Sequence, residues 1–262
     1  MTSQGLFSDD SWMLRTLVAM GATGDVHQLR WNEVGRLGLL PVMAECSKRE
    51  GNPVPEDVLV RHRANLQRKA LLRFVTGEVS SLLSQHVPMI VLKGEVLADE
   101  LYPLPQMRVS SDIDVLVLPG DLEKVEKVLG EAGYRPAEPL RPQLMQTNKE
   151  IVLTHERLGV TIDLHWALSL PILPGIPPHE LFESRRFRHL KGADEVPVLR
   201  EDWLLLHLAL HFFNHLGFAK GLIDIAAWLD KFGLEGPAGQ LLERSRRLGL
   251  YKILQWCFPL QY

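Results

Sequence analysis

Between Ile90 and Pro119, residues that do chemistry stand among apolar neighbours. Lys93 and Gly94 follow an apolar triplet, and Arg108 precedes Ser110, Ser111, Asp112 and Asp114. Side chains on a strand alternate between faces, so Asp112 and Asp114 share one side while Ile113, Val115 and Val117 point into the protein. Neighbouring carboxylates raise one another's pKa. A site that keeps both ionised needs a cation, most naturally an oxygen-preferring one such as Mg²⁺ or Mn²⁺. Asp112 and Asp114 are therefore candidate metal ligands and candidate catalytic residues.

The start of the stretch supplies the other half of a phosphate site. Ile90 to Leu92 predict a short buried strand, Gly94 a tight turn, and Glu95 to Tyr102 a helix that opens directly after it. Backbone amides at such a helix start attract phosphate oxygens. Lys93 and Arg108 would supply positive charge, Arg108 through a planar fork that grips phosphate in two places. Lys93, Gly94, Arg108 and Ser111 form the candidate nucleotide-binding set. A Lys-Gly pair that merely ends a strand is common, and so is an Asp-x-Asp in a surface turn; the two in this order are far more specific.

The pattern Leu92-Lys93-Gly94, Leu97, Tyr102-Pro103, Arg108, Asp112-x-Asp114 and Gly133-Tyr134 resembles the active-site signature of the DNA polymerase beta-like nucleotidyltransferase superfamily. Within that superfamily it is similar to a bacterial group labelled uncharacterised nucleotidyltransferases. The resemblance implies a metal-dependent enzyme that moves a nucleoside monophosphate from an NTP donor to an acceptor. It also implies a third carboxylate on a neighbouring strand, and Ile162-Asp163-Leu164-His165-Trp166 resembles the segment that supplies it. Asp112, Asp114 and Asp163 would then hold the metal and carry the catalysis. The other reading of Asp163, an acid at the centre of a strand, is a salt bridge to Lys93 or Arg108. One residue departs from the pattern. The superfamily follows its glycine with Gly or Ser, whereas this chain has Glu95, which should repel phosphates unless it turns outward or binds a metal.

These residues need a frame. Up to about residue 86 the chain reads as helical: Leu14, Leu17 and Val18 recur at helical spacing, a second helix spans Trp31 to about Leu40, and Glu56 to about His86 predicts one long amphipathic helix or two in line. After the Asp-x-Asp strand, Pro119-Gly120-Asp121 caps a helix carrying Leu122, Val125, Val128 and Leu129. A Pro-rich passage leads to a hairpin of Glu150–Thr154 and Val160–Trp166 around Gly159. Residues 171 to 200 read as a proline-marked boundary and a basic, loop-like passage. Glu201 to Leu216 predicts an apolar helix with His207, His211 and His215 on one stripe, which reads as core or site-lining rather than as zinc ligands. On the next helix Asp224 either faces the cleft or is an ordinary paired helix acid. The apolar run Leu248 to Leu260 is expected to belong to a naturally short version of the family or to cover itself on a partner or a second copy.

The fold class expected is α/β (α+β): a small mixed β-sheet nucleotidyltransferase core at residues 87–170, between an N-terminal helical region at 1–86 and a C-terminal helical lobe at 171–262. With a net charge of −3 in 262 residues, the chain gives no electrostatic reason to expect tight nucleic-acid binding. Cys46 and Cys257 match no metal or redox spacing, and no stretch approaches the ~20 apolar residues needed to span a bilayer, so a cytoplasmic setting is expected. The acceptor is expected to be a small molecule, peptide or protein. Two further readings stand beside the transferase: a binding or regulatory protein that kept the fold and lost the reaction, and an abortive-infection type toxin that modifies RNA or protein.

Overall fold

The computed structural model describes residues 31–49, 51–138, 141–173, 175–190, 195–214, 219–233 and 237–257. The expected helix through Leu14, Leu17 and Val18 lies outside them, as does His215. The elements run α1 (Trp31–Arg36), α2 (Leu40–Arg49), α3 (Glu56–Ser84), β1 (Met89–Val91), α4 (Glu95–Leu101), β2 (Ile113–Val117), α5 (Leu122–Glu131), β3 (Tyr134–Pro136), α6 (Pro142–Thr147), β4 (Glu150–His155) and β5 (Thr161–His165). They continue with α7 (Pro178–Glu183), β6 (Arg186–His189), β7 (Glu195–Val198), α8 (Glu201–Asn214), α9 (Ala219–Phe232), α10 (Pro237–Arg247) and α11 (Tyr251–Cys257).

The seven strands form one mixed sheet in the order β3-β4-β5-β2-β1-β7-β6. β2 is antiparallel to β1 and parallel to β5, and the β4–β5 hairpin follows the alternation that predicted it. The fold is thus the mixed α/β arrangement the sequence implies, but its sheet is not small. The basic passage expected to be loop-like contains β6 and β7, which carry the sheet past residue 170, with β7 pairing in parallel to β1. Short strands with interspersed arginines give a weak alternation signal, because an edge strand such as β6 buries only part of one face.

Both faces of the sheet are covered. Ile113, Val115 and Val117 point toward α3 and α5, where they pack with Leu72, Val75, Val79, Leu122 and Val125. Helix α3 is a single 29-residue helix, but its buried side is mixed: His62, Lys69, Thr76 and Ser80 lie there beside Val58, Leu72, Val75, Val79 and Leu83, while Phe74 is exposed. On the other face Ile90, Leu92 and Leu116 belong to a second core with Trp203, Leu206, Leu210, Ile223 and Trp228 from α8 and α9. The face that carries the carboxylates is therefore roofed by the C-terminal helices. Of the apolar run after Leu248, Leu250, Ile253 and Leu254 join this core. No helix among the described residues is long and apolar enough to cross a membrane.

Candidate active site

Gly94 makes the turn between β1 and α4 at φ +86°, a left-handed conformation that a side chain strains, and a Cβ there would face Ser110 Oγ and the Asp112 carbonyl. The turn brings Lys93 over the start of β2. Its ammonium lies 2.5 Å from Asp114 Oδ2 and 3.9 Å from Asp112 Oδ1. The sequence places Lys93 among phosphates; the structure places it between the two aspartates, where it supplies the positive charge their convergence requires. Burial opposes the charged lysine, but the two carboxylates outweigh it and raise its pKa. Asp114 is held well below the usual carboxylate range because Lys93 and His165 overcome the cost of its burial.

The parallel register of β2 on β5 sets Asp114 opposite Asp163. One ligand atom from each of Asp114, Asp163 and His165 lies within 4.8 Å of the other two. Asp163 is half-buried and forms no ion pair among the described residues; of its two readings, the salt bridge to Lys93 or Arg108 is not what the structure has. Burial, then the charges of Asp114 and Asp112, push its carboxyl up from 3.8 to about 6. Asp112, just before β2, is half-buried and accepts a hydrogen bond from Ser111 Oγ at 2.9 Å.

His165 was not singled out from the sequence. Its ring bridges Asp114 Oδ1 at 3.2 Å and Glu150 Oε2 at 2.9 Å, with Lys149 paired to the same glutamate. The signal was present, since residues 163 and 165 share a face of β5. Burial disfavours the imidazolium, but the bonds to Asp114 and Glu150 raise its pKa nevertheless. From the roof, buried His207 has neither ring nitrogen hydrogen-bonded, and burial together with the charges of Lys93 and His165 pushes it down to about 3, so the ring is neutral. His211, one turn on, lines the cleft, as the site-lining reading of this stripe expects.

Arg108 is used differently from the phosphate grip. Its Nε and Nη2 donate to Asp224 Oδ1 and Oδ2 at 2.7 and 3.0 Å, and its Nη1 donates to the Gly94 carbonyl and to Ser110 Oγ at 3.0 and 2.7 Å. Tyr102 donates to the same aspartate at 2.6 Å. Asp224 thus lies at the cleft and is also a paired acid, and the cluster fastens α9 to the Gly94 turn. Burial opposes both charges of the pair, but each partner outweighs it, raising the arginine and lowering the aspartate.

Glu95 neither turns outward nor lines the cleft. It is 1% exposed and pairs with Lys69 of α3, which also donates to the Arg108 carbonyl at 3.2 Å. Burial raises the Glu95 carboxyl and lowers the Lys69 ammonium, because pairing only partly offsets the loss of water. Lys69 thus answers the acid from behind the turn, a partner the sequence reading did not identify. Glu95→Ser is accordingly expected to leave nucleotide affinity nearly unchanged but to lower stability by on the order of 2–3 kcal/mol, since it strands a buried lysine. Urea denaturation beside a nucleotide titration checks this; an unchanged midpoint would show that the Lys69 contact is not stabilising.

A cleft of about 290 Å³ opens beside these groups, lined by Lys93, Ser110, Ser111, Asp112, His211 and Lys220 among others. A Lys-Gly turn opening a helix beside an Asp-x-Asp strand, with a third aspartate on the parallel neighbour, is the arrangement a nucleotidyltransferase core requires. The family described as uncharacterised nucleotidyltransferases matches residues 28–260, and the chain belongs to it; the protein is a transferase of that kind. No curated protein matches the chain. Among solved structures it is similar to the antibiotic-resistance factor ANT(2'')-Ia in solution, at 12% identity and TM-score 0.49 over 72% of this chain and 99% of that one. It is also similar to the lincosamide antibiotic adenylyltransferase LnuA with lincomycin bound, at 17% identity and TM-score 0.39 over 58% and 91%. A third is an antigenic nucleotidyltransferase-like protein from Paracoccidioides brasiliensis, at 13% identity and TM-score 0.39 over 71% and 91%.

Proposed function

We propose that the protein transfers a nucleoside monophosphate from an NTP to a hydroxyl or amine of an acceptor, with a divalent cation held by Asp112, Asp114 and Asp163. The observation that carries this reading is the set of acids around Asp163. Asp114, Asp163 and His165 each offer a ligand atom within 4.8 Å of the other two, Asp112 is near enough to raise the Asp163 carboxyl, and Asp163 forms no ion pair among the described residues, so the donor set suits a hard divalent ion such as Mg²⁺. When bound, such an ion supplies charge neutralisation for the phosphate and for the leaving pyrophosphate. The acceptor oxygen or nitrogen forms the new bond to the α-phosphorus, the bond to pyrophosphate breaks, and the acceptor's proton passes to Asp163.

The direct experiment is to titrate each of the four NTPs with and without Mg²⁺, and to follow pyrophosphate release over a panel of hydroxyl- and amine-bearing small molecules and peptides. Mg²⁺-dependent binding of one NTP, lost in Asp163→Asn, supports the reading; no Mg²⁺-dependent binding of any NTP overturns it. The pH dependence adds a second check. Between about 4 and 6, folded Asp163 keeps a proton that the unfolded chain has released, so this residue's contribution to stability falls as pH rises through that window and levels off above it. The melting temperature of Asp163→Asn minus that of the parent, without divalent metal, should therefore grow from pH 4 to pH 7. A difference flat in pH would mean that Asp163 is not crowded by the other acids.

A further inference from the structure

Three cations face the cleft between the carboxylate strand and the roof helices, and their commitments differ. Arg108 is bound on both edges by Asp224, Gly94 and Ser110. Lys93 is held by Asp114 and Asp112. Lys220, in the first turn of α9, donates at 2.6 Å to the carbonyl of Val109 and forms no ion pair among the described residues. We propose that Lys220 holds the polyphosphate of the donor nucleotide against the Ser110–Ser111 wall of the cleft, in the role that the sequence pattern assigns to Arg108. This rests on the reading of the protein as an NTP-dependent transferase.

The argument is one of charge and placement. A carbonyl accepts a hydrogen bond but carries no net charge, and the nearby carboxylates of Asp224 and Asp112 only partly offset the cost of taking the Lys220 ammonium from water, an arrangement that an incoming anion relieves. Burial, and then the neighbouring charge of Arg108, push its pKa down to about 8, which reflects the same want of a counter-ion. Its position is fixed from both sides. The Val109 carbonyl holds the Nζ next to Ser110, and one turn along the same helix Asp224 is clamped by Arg108, so α9 cannot rotate the lysine away without breaking a buried ion pair. The cleft, at about 290 Å³, has room for a polyphosphate. Arg108 then serves as a positioning residue: it sets α9, and α9 presents Lys220.

The test compares Lys220→Met and Lys220→Arg with the parent in calorimetric titrations of NTP, of the corresponding NMP and of inorganic tripolyphosphate, all with Mg²⁺ in excess, after melting curves have shown each variant folded. Lys220→Met removes a half-buried charge that forms no ion pair among the described residues, so it should melt at or above the parent. Its affinity for NTP and for tripolyphosphate should fall about ten- to a hundredfold, while NMP affinity stays unchanged and Lys220→Arg stays within a few-fold of the parent. Equal NTP affinity in parent and Lys220→Met overturns the assignment and leaves nucleotidyl transfer standing. A loss of NMP affinity as large as that for NTP also overturns it, because Lys220 would then serve the nucleoside or the acceptor. If the parent itself binds no NTP, the transferase reading fails and this assignment with it.

Discussion

Asp114→Ala is expected to abolish nucleotide transfer and to lower stability by about 3–5 kcal/mol, the usual effect of removing one partner of a buried ion pair. Asp114 is 2% exposed and bonds both Lys93 and His165; without its carboxylate the buried lysine loses its nearest counter-charge and the imidazole a hydrogen-bond partner. Asp163→Asn should also abolish transfer, yet leave the metal-free protein as stable as the parent or more so, since it relieves a crowded acid and breaks no ion pair. Asp112→Ala falls between them, because that side chain is half-buried and 3.9 Å from Lys93. From the sequence, Asp112 and Asp114 look equivalent, two repelling acids whose removal relieves strain; burial beside Lys93 makes the sign of the stability effect opposite for Asp114. Urea denaturation of the three variants decides it. An Asp114→Ala protein as stable as the parent would show that Lys93 has another counter-charge.

Arg108→Ala is expected to unfold the roof of the cleft or to cost about 3–5 kcal/mol, because it leaves Asp224 buried with only the Tyr102 hydroxyl. Asp224→Ala should cost a similar amount through the stranded guanidinium. The double variant Arg108→Met with Asp224→Leu should recover most of the loss, since a buried pair replaced on both sides by apolar groups of similar volume leaves no uncompensated charge. Denaturation across the four members of this cycle measures the coupling directly. If Arg108→Ala folds as stably as the parent and loses only nucleotide affinity, the arginine is a phosphate ligand after all, and the division of labour between Arg108 and Lys220 is wrong.

The sequence by itself determined the elements and the chemistry they carry. Alternation along Ile113–Val117 and along the two arms of the hairpin, with a Lys-Gly turn before a helix, is local information: one strand's pleat decides that Asp112 and Asp114, or Asp163 and His165, share a face. The 29-residue α3 was legible as a long helical run with few breakers, although the side it buries holds His62, Lys69, Thr76 and Ser80 and leaves Phe74 exposed. Less was visible in β6, an edge strand whose Arg186 and Arg188 interrupt the pattern, and in β7, four residues with a proline among them. What only the tertiary structure decided is which charge answers which. Lys69 reaches Glu95 across 26 positions, Asp224 meets Arg108 across 116, and Lys220 meets Val109 across 111. Residue type fixes that a buried charge must be neutralised, but electrostatics is indifferent to chain distance, so the partner is chosen by how α3, α8 and α9 pack on the sheet. That packing turned the expected phosphate-gripping arginine into a structural clamp, made the out-of-place glutamate a paired buried acid, and brought to the cleft a lysine that no local motif had marked.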